Sequence, residues 1–476
     1  MTRVSIRTSP YPVVVVGAGV AGLTAAFRLQ EAGVDVQVFE AADRVGGAIH
    51  SEAVNGHLFE RGPTTVMSTS PHLGRLIDAA GLRPRAIESA PQAGRRKVWR
   101  HGRLHTLPEK PPQLLTCSAL SLPGRLRLLM EPLVPARRSG PPETLLDMGR
   151  RRLGKEATAA LLDPFITGVY AGRLDQLGVD AVGRLTIWER AYGSFFKAVK
   201  AQRREKLLQL EAEGQPKPTG PPPLVSFPGG LGELPAALGE QLGTQLHTSR
   251  RVVSFGRVGA HWRVVVEGEG KTATVMASSI LVAAPARIAA DLVEPWVGEV
   301  VHPFRDIEHP HVATVGLGYR RSDVSAPLDA FGLLVASDSR LEHDVLGVLY
   351  VSSIFPDRTP EGEVTLTVMI GGARDPDAAQ ATDDELVSRA RRALKVLIGA
   401  EGEPTARLVT RWPTAIPQYP PGHTMRVGRL QSRLQQMGGL QVAGNWLSGV
   451  GLEAAVESAE LAVDAALRSE WTASRG

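Results

Sequence analysis

The sequence predicts an α/β protein built on a Rossmann-type dinucleotide-binding domain, and three observations support this prediction. Residues 12–40 read as a short strand, a glycine-rich turn, a helix and a second strand, which is the order of a βαβ unit. An acidic residue, Glu40, ends the second strand. From about residue 245, short segments alternate apolar and polar residues at period two, as half-buried strands do. With 476 residues the chain is long enough for two or three domains.

The first element is the run Val13–Val16, a β-branched stretch typical of a strand buried in a parallel sheet. Gly17 breaks this strand. The helix that follows carries Leu23, Phe27 and Leu29 and ends at Gly33. The second strand, residues 34–39, is again rich in valine.

The turn between them reads Gly17-Ala-Gly19-Val-Ala-Gly22. In a G-x-G-x-x-G turn the first glycine permits the tight bend and the second lets the backbone approach a pyrophosphate. The third lets the helix pack close to the strand, while the helix N-terminus attracts the phosphates. Glu40 can accept hydrogen bonds from a ribose. A purely structural glycine turn is the alternative, but the strand before it and the helix after it favour a dinucleotide site.

Strands dominate the second half of the chain. Residues 142–210 are mostly helical in pattern, and Pro216–Pro223 is a proline-rich loop. The predicted strands are 251–255, 262–267, 272–276, 280–284, 312–318, 331–336, 345–353, 364–370 and 440–443. Amphipathic periodicity predicts a helix over 383–398, and an alanine-rich helix closes the chain over 450–468.

Charge is unevenly distributed. The net charge is +5, but residues 83–155 carry +11 and the remainder carries −6. A basic block indicates an anionic partner, such as lipid, an acidic substrate or nucleic acid, or else a solvated basic face. Nucleic acid is disfavoured because the block lacks the regularly interleaved aromatic residues of a stacking platform. Within residues 111–134, leucines, prolines and arginines are mixed, as in a segment lying in an anionic interface. A self-packed helical subdomain is the alternative.

Several classes of site are excluded by composition. The single cysteine, Cys117, cannot form an intramolecular disulfide or a thiolate metal site, and it fits a reducing, cytoplasmic setting. We predict no metal site. No window is long and apolar enough to cross a bilayer, and the N-terminal apolar run is too short for a secretion signal.

A second glycine-containing motif follows the first turn in the chain. Arg44-Val-Gly46-Gly47 begins four residues after Glu40, and together they resemble the flavin amine oxidase-like superfamily. This resemblance implies FAD as the cofactor. Members link FAD non-covalently or through a cysteine near the C-terminus; Cys117 lies elsewhere, so non-covalent FAD is expected. The closing motif Gly444–Gly451 precedes a helix, and the resemblance places it at the flavin end of the cofactor.

Further segments narrow the resemblance to the protoporphyrinogen oxidase family. They are Phe59-Glu-Arg-Gly62-Pro63-Thr64, Thr167-Gly168-Val-Tyr-Ala171-Gly172, Phe331-Gly-Leu-Leu334, Met369-Ile-Gly371-Gly372 and Arg411-Trp412-Pro413 through Gln418-Tyr419 to Gly422-His423. The resemblance implies a p-hydroxybenzoate-hydroxylase-like FAD-binding domain, residues 1–85, 220–290 and 405–476, interleaved with an α+β substrate domain, residues 291–404. A helical membrane-binding insertion would occupy residues 90–205.

The resemblance also assigns residues to the cofactor. These are Gly17, Gly19, Val20, Ala21, Gly22, Glu40, Ala41, Arg44, Gly46, Gly47, Gly62, Pro63, Thr64, Val252, Trp412, Gly444, Asn445, Val450, Gly451 and Leu452.

The implied reaction is FAD-dependent oxidation of a porphyrinogen in three two-electron steps, with O₂ as the electron acceptor. Arg96, or Arg95 second, would bind a substrate carboxylate, since a guanidinium can grip a carboxylate through two hydrogen bonds. Gly168 would lie beside the reacting ring. The apolar walls would be Phe331, Leu334 and Met369, with plain core positions as the alternative.

Other readings stay open at this stage. Protoporphyrinogen IX is the leading substrate and coproporphyrinogen III, with more carboxylates, its rival. A carotenoid desaturase would need a long apolar tunnel. An amine oxidase would need an aromatic cage, for which Tyr419 and Trp446 are candidates. A non-catalytic FAD-binding paralogue is the remaining alternative, because the residues after Gly451 depart from the family pattern. Expected partners are a membrane surface, ferrochelatase and a second copy of the chain, with a cytoplasmic location at the inner face of the cell membrane.

Overall fold

A computed structural model describes residues 10–108, 111–214, 222–339, 341 and 345–473. The predicted loop Pro216–Pro223 therefore lies almost wholly outside the described residues. The strands, in chain order, are β1 (Val13–Val16), β2 (Val36–Phe39), β3 (Ser51–Val54), β4 (His57–Glu60), β5 (Val66–Met67), β6 (Ile87–Glu88), β7 (Lys97–Arg100), β8 (Arg103–Thr106), β9 (Leu224–Ser226), β10 (Leu246–His247), β11 (Arg251–Val258), β12 (His261–Gly268), β13 (Lys271–Ala277), β14 (Ser279–Val282), β15 (Val312–Arg320), β16 (Gly332–Val335), β17 (Val345–Tyr350), β18 (Glu363–Gly371), β19 (Ala406–Trp412) and β20 (Leu440–Val442).

Helices connect these strands. They are α1 (Val20–Glu31), α2 (Pro71–Ala79), α3 (Leu122–Leu129), α4 (Leu145–Arg152), α5 (Lys155–Ala157), α6 (Asp163–Tyr170), α7 (Arg184–Tyr192), α8 (Phe195–Ala212), α9 (Glu233–Leu242), α10 (Ala286–Val297), α11 (His302–Arg305), α12 (Val351–Ile354), α13 (Asp383–Ile398), α14 (His423–Met437) and α15 (Leu452–Ala473).

A five-stranded parallel sheet confirms the predicted βαβ unit. Its order is β10-β2-β1-β14-β20, and Val14 pairs with Ile280 on one side and Gln37 on the other. Val13 and Val15 join the core formed with α1, α9 and α15, whereas Val14 and Val16 join the core formed with β12 and α10. Burial on both faces explains why β1 is a run of valines and not an alternating strand.

The second large sheet has seven strands, in the order β19-β15-β18-β17-β16-β7-β8. All neighbouring pairs are antiparallel except β16 and β7, which are parallel. Helix α13 covers one face through residues such as Leu386 and Leu394. Its predicted bounds, 383–398, are confirmed. The Thr382 hydroxyl accepts from the Glu385 amide at its start, and Gly399 adopts the left-handed conformation at its end.

Strand pairing crosses the boundaries predicted for the three domains. Strands β7 and β8 fall in the segment predicted as a helical insertion, yet they extend the seven-stranded sheet, as does β19 from the predicted FAD-binding segment. Helices α10 and α11 pack on the core of the parallel sheet; the ring of Phe304 lies 5.3 Å from that of Trp446. The physical reason is that edge strands are recruited by backbone pairing with distant segments, which a local pattern does not reveal.

Within the helical region α3–α8, arginines of the basic segment form ion pairs with acids of the same region. Arg152 is fully buried and pairs with Glu131, which also accepts from the Ser194 hydroxyl at 2.5 Å. Arg151 pairs with Glu143 at 2.9 Å and with Glu189 at 2.7 Å. These arginines of the basic segment therefore stabilise the region itself. The sequence analysis had assigned the segment's charge to an anionic partner or to a solvated basic face.

One side of this region exposes apolar side chains. They are Leu122, Leu126, Leu129, Met130 and Leu133, with the last 76% exposed. The opposite side of α3 is buried through Gly124 and Leu128. We call these five exposed residues the α3 patch. Across the described ranges, no helix is both long and apolar enough to traverse a bilayer.

Candidate cofactor and substrate site

The glycine-rich turn lies at the carboxyl edge of the parallel sheet. Gly17 has a φ of +99°, and a Cβ there would lie 2.7 Å from the Ala283 carbonyl oxygen. A Cβ on Gly22 would lie 1.8 Å from the Gly17 carbonyl oxygen. These two glycines therefore do what the sequence predicts: one makes the bend, and the other lets α1 pack close to β1.

Two glycines beside helix N-termini leave open space. A Cβ on Gly19 would meet no atom of the described residues within 4 Å, and neither would one on Gly451. Gly19 is the N-cap of α1, and within the described part of the chain no side chain caps that helix, so its first-turn amides are available to an anion. Gly451 directly precedes α15, which packs against α1. This pair of uncovered helix starts fits a dinucleotide, whose pyrophosphate needs close backbone approach.

Glu40 braces this turn. Its carboxylate accepts the Ala18 amide at 2.6 Å and the Ala42 amide at 2.8 Å. Each oxygen keeps a lone pair with which it could accept a ribose hydroxyl. Ala41 beside it is exposed. Val252, also predicted at the cofactor, is buried in the core, so only its backbone could contact a ligand.

Arg44 shapes the second loop with its side chain. Its guanidinium donates to the Gly47 carbonyl at 2.7 Å and to the Val45 carbonyl at 3.1 Å. The Gly46 amide donates to the Ala18 carbonyl at 2.8 Å, and a Cβ on Gly47 would lie 3.2 Å from the Gly19 Cα. The two glycine loops thus lie against each other, and Arg44 contributes through loop shape.

Gly62 and Trp412, which are both predicted cofactor residues, lie close together in the structure. The Trp412 indole donates to the Arg61 carbonyl at 2.9 Å. A Cβ on Gly62 would lie 2.0 Å from the Ala48 carbonyl oxygen and 3.7 Å from the Trp412 ring. Pro63 and Thr64 follow, both half-buried. The end of β19 therefore fixes the path of the chain after β4.

The closing turn is held by two residues whose role the sequence analysis missed. The Tyr419 hydroxyl donates to the Asn445 carbonyl and accepts from the Gly449 amide at 3.1 Å. The imidazole Nε2 of His423 donates to the Trp446 carbonyl at 2.9 Å and the Leu447 carbonyl at 3.1 Å. Burial lowers the pKa of His423 and raises that of Tyr419.

Gly444 begins this turn. Its φ is +150°, and a Cβ there would lie 2.8 Å from the Trp446 indole nitrogen. The Gly444 amide donates to the Ser458 hydroxyl at 2.9 Å. The turn is therefore fastened at both ends, and Val450, Gly451 and Leu452 lead from it into α15.

Tyr419 and Trp446 do not form an aromatic cage. Each is 1% exposed. The Trp446 indole donates to the Ala284 carbonyl at 3.0 Å. Neither ring face is open to a ligand, which disfavours the amine oxidase alternative.

The predicted substrate residues fall into two groups, and the first lies where α6 crosses the large sheet. A Cβ on Gly168 would lie 2.2 Å from the Leu334 Cδ2 atom. Leu334 pairs with Gly347 across β16 and β17, and Gly347 pairs with Met369 on β18. Leu334 and Met369 therefore flank a glycine on one face of the sheet, and both stay half-buried.

The second group contains Arg96 and Phe331. The Arg96 guanidinium carbon lies 4.1 Å from the Phe331 ring centre, a cation–π contact. The Phe331 ring packs with Ala93, Ile354 and Phe355. The Phe331 amide donates to the Arg95 carbonyl at 3.0 Å, so backbone pairing fixes this juxtaposition.

An acid near this group escaped the sequence analysis. Asp329 accepts from Lys97 Nζ at 2.5 Å and from Arg95 at 2.8 Å. Lys97 is the first cause of the lowered pKa of Asp329. No local signal identifies Asp329, because it lies 232 positions from Lys97 in the chain.

The chain is similar to known flavoproteins over almost its whole length. The model of a family described as flavin containing amine oxidoreductase matches residues 20–467. The chain is 32% identical over 466 residues to a chloroplastic protoporphyrinogen oxidase of Nicotiana tabacum, covering 94% of this chain and 83% of the relative. It is 30% identical over 498 residues to a coproporphyrinogen III oxidase of Propionibacterium freudenreichii subsp. freudenreichii, covering 96% and 91%.

Solved structures share the fold. A candidate protoporphyrinogen oxidase from Exiguobacterium sp. 255-15 superposes with a TM-score of 0.79 at 22% identity, covering 97% of this chain and 99% of that one. Cyclohexylamine oxidase from Brevibacterium oxydans IH-35A gives a TM-score of 0.68 at 18% identity, covering 96% and 99%. Both share the α/β fold of this chain.

Proposed function

The chain belongs to the flavin containing amine oxidoreductase family, and we propose that it is an FAD-dependent oxidase that converts a porphyrinogen to a porphyrin in haem biosynthesis. The similarity to porphyrinogen oxidases over nearly the whole chain supports this activity. The observation that carries the proposal is the stacked pair of Arg96 and Phe331. It offers a cation and an apolar surface side by side, which is what a flat ring with carboxylate arms requires.

FAD fits the residues of the site. The uncovered backbone at Gly19 and Gly451 would admit the pyrophosphate and the flavin end, and Glu40 would meet the ribose. Because the lone Cys117 is buried in another cluster, binding would be non-covalent. When bound, the flavin supplies a two-electron acceptor; three such oxidations, with O₂ as the final acceptor and peroxide as product, complete the proposed reaction.

The protein residues position the substrate. Leu334 and Met369, with Gly347 between them, form an apolar face beneath the end of α6. Gly168 keeps α6 close to this face because any side chain there would collide with Leu334. Arg96 would hold a propionate arm through charge-assisted hydrogen bonds. Excluding water and fixing the ring are the tasks left to the protein when the cofactor supplies the chemistry.

Protoporphyrinogen IX is the proposed substrate. Coproporphyrinogen III is the second candidate, and a run of three consecutive cations, Arg95, Arg96 and Lys97, of which Arg96 lies over the Phe331 ring, favours it. As part of the same proposal, the α3 patch contacts an anionic membrane surface, with the protein in the cytoplasm at the inner face of the cell membrane. Ferrochelatase and a second copy of the chain stay predictions.

The decisive experiment mixes the purified holoenzyme anaerobically with each porphyrinogen. Loss of oxidised-flavin absorbance is expected, followed, on admission of air, by peroxide and porphyrin fluorescence. If neither porphyrinogen bleaches the flavin, the proposed function is wrong.

One variant tests the anchor. Arg96→Ala should raise KM about tenfold or more, as expected for loss of a charge-assisted pair, while flavin content stays the same. Arg138→Ala, an exposed arginine of the same basic segment, is the matched control and should leave KM unchanged. Loss of flavin from Arg96→Ala would instead show that the arginine is structural.

A further inference from the structure

The buried side chain of Gln418 contacts the end of α6, and that of its neighbour Tyr419 contacts the closing turn. We propose that residues 416–419, which we call the 416–419 link, set the distance between the substrate side and the cofactor side of the site. Gln418 is then a positioning residue for the transfer of two electrons from the porphyrinogen to the flavin. This inference rests on the proposed function and deepens it, because it names the residue that aligns substrate with cofactor.

Gln418 caps the end of α6, the helix that carries Gly168. Its side-chain amide donates to the carbonyl of Tyr170, the last residue of α6, at 2.8 Å and to the Ile416 carbonyl at 2.9 Å. The last carbonyls of a helix have no intrahelical donor, and Ala171 turns the chain away with a φ of +49°. A side chain that is 248 positions distant in the chain and only 7% exposed therefore supplies the donor.

The link also contacts the residues that follow α6 and the neighbouring sheet face. A Cβ on Gly172 would lie 2.2 Å from the Gln418 Oε1 atom, so the close approach of the amide depends on a glycine at that position. Ile416 packs in the apolar cluster that contains Ala171 and against which Met369, a predicted wall residue, also packs. The substrate side therefore meets the link through both a buried amide and an apolar side chain.

Backbone hydrogen bonds hold the link in place. Residues 416–419 form neither helix nor strand. The Gln418 amide nitrogen nevertheless donates to the Glu308 carbonyl at 2.9 Å, and the Tyr419 carbonyl accepts from the Gly178 amide at 2.8 Å. Because segments on two sides fix its backbone, the link can transmit the position of one neighbour to the other.

Tyr419 connects the link to the cofactor side. Its hydroxyl donates to the Asn445 carbonyl and accepts from the Gly449 amide of the closing turn. Its ring belongs to an apolar cluster against which both Tyr170 and Val450 pack. Since Tyr170 ends α6 and Val450 is a predicted cofactor residue, this one cluster contacts both sides of the site.

The consequence for the reaction concerns distance. Gly168 lies two residues before Tyr170, so a shift at the end of α6 also moves the place proposed for the reacting ring. Reacting atoms must approach to about 3–3.5 Å, and a misplacement of about 1 Å can cost about a hundredfold in rate. Loss of the Gln418 contact should therefore slow reduction of the flavin more than it weakens substrate binding.

Gln418→Met keeps an unbranched side chain of similar length and removes both donors. Purified holoenzyme is mixed anaerobically with saturating protoporphyrinogen IX, and the loss of oxidised-flavin absorbance is measured per bound flavin. We expect this limiting rate to fall about tenfold or more, with little change in KM, because the lost contact acts on alignment. An unchanged limiting rate per bound flavin would overturn the inference.

A second variant reaches the same amide from the other side. Gly172→Ala places a methyl group against Gln418 Oε1 and should divide its effect between rate and KM in the same way. The matched control is Gln441→Met, since Gln441 is 8% exposed but lies on β20 of the parallel sheet. It should keep the wild-type limiting rate; a fall equal to that of Gln418→Met would overturn the inference.

Hydrogen exchange measures the link independently of turnover. In the holoenzyme, Gln418→Met should speed amide exchange both in residues 165–173, at the end of α6, and in residues 444–452, the closing turn. Residues 383–398 of α13 serve as the internal reference. Faster exchange confined to residues 165–173 would show that Gln418 caps α6 without linking it to the turn, and would overturn the inference. If the wild-type flavin reacts with neither porphyrinogen, the proposed function fails, but the exchange rates still decide whether the link exists.

Discussion

The ring of Tyr419 stacks on the imidazole of His423, with centroids 4.0 Å apart and planes 11° from parallel. Together the two side chains contact the backbone of four residues of one turn, Asn445, Trp446, Leu447 and Gly449. That turn leads into Gly451 and α15. A buried stacked pair fixes the conformation of this turn, and under the proposed function the two side chains would be positioning residues for the cofactor site.

Tyr419→Phe removes only the hydroxyl that fastens the turn. We expect FAD to dissociate about tenfold faster, since one buried hydroxyl with two hydrogen bonds is worth about 1–3 kcal/mol, and the flavin absorbance band to shift. Tyr350→Phe is the control, because Tyr350 is equally buried but its hydroxyl has no hydrogen-bond partner among the described residues. Equal FAD dissociation rates in the two variants would show that Tyr419 does not position the turn.

Gly168→Ala should impair substrate binding through Leu334. A Cβ at Gly168 would lie 2.2 Å from Leu334 Cδ2, so either α6 or the Leu334 side chain must move. We expect kcat/KM to fall about tenfold or more with little change in flavin content. In the double variant Gly168→Ala/Leu334→Ala the collision is removed, and activity should recover above that of Gly168→Ala. No recovery would mean that the glycine serves the ring directly.

Glu40 has both a structural and a ligand-binding task. Glu40→Gln keeps one carbonyl acceptor and should weaken FAD retention modestly, whereas Glu40→Ala leaves the Ala18 and Ala42 amides without partners and should weaken it strongly. Retention is measured as flavin remaining after gel filtration. Glu269→Ala, whose side chain is 74% exposed, serves as the control. Equal retention in all four proteins would contradict a role for Glu40 in cofactor binding.

The α3 patch can be tested on vesicles. Replacing Leu122, Leu126 and Leu133 by Asn should reduce co-sedimentation with anionic lipid vesicles several-fold, because burial of apolar area and attraction to anionic lipid act together. Val396→Asn removes a comparably exposed apolar side chain, 56% exposed, from helix α13, which covers the seven-stranded sheet, and should have no effect. Wild-type protein that fails to sediment with anionic vesicles would refute the membrane proposal.

Acid should destabilise the fold partly through His423. Its pKa is lowered in the folded state by burial, so below the unfolded value of about 6.5 the unfolded chain binds more protons. The free energy of unfolding then falls as pH drops through 6.5. His423→Gln should lose less Tm between pH 7.5 and 5.5 than wild type does. His101→Gln, at an exposed histidine, should behave like wild type; identical pH responses in all three would exclude His423 as a contributor.

Local signals predict part of this molecule well. The strand, turn and helix around Gly17–Gly22 are confirmed because glycine spacing and apolar runs act over neighbouring residues. Helix α13 is confirmed for the same reason: periodicity, Thr382 and Gly399 define it locally. The sequence also predicts Arg96 and Phe331 as substrate residues, and the structure brings them into contact.

Long-range pairing defines the rest. Strand β7 joins β16 in parallel, with Val98 opposite Leu334, and a pairing across more than two hundred residues leaves no periodic trace. Asp329, which pairs with Arg95 and Lys97, leaves no local signal in the sequence for the same reason. Tyr419 and His423 look like loop residues in the sequence, because their importance comes from the backbone atoms of a distant turn.

The parallel sheet has a consequence for synthesis of the protein on the ribosome. Strand β1 is made first, yet its neighbour β14 pairs on the other side with β20, which is made almost last. Helix α15, which packs against α1, follows later still. The nascent chain therefore carries its glycine-rich turn for most of translation without the elements that complete the sheet. Prematurely terminated products would lack β14 and β20 and would leave apolar surface of β1 uncovered, which favours aggregation.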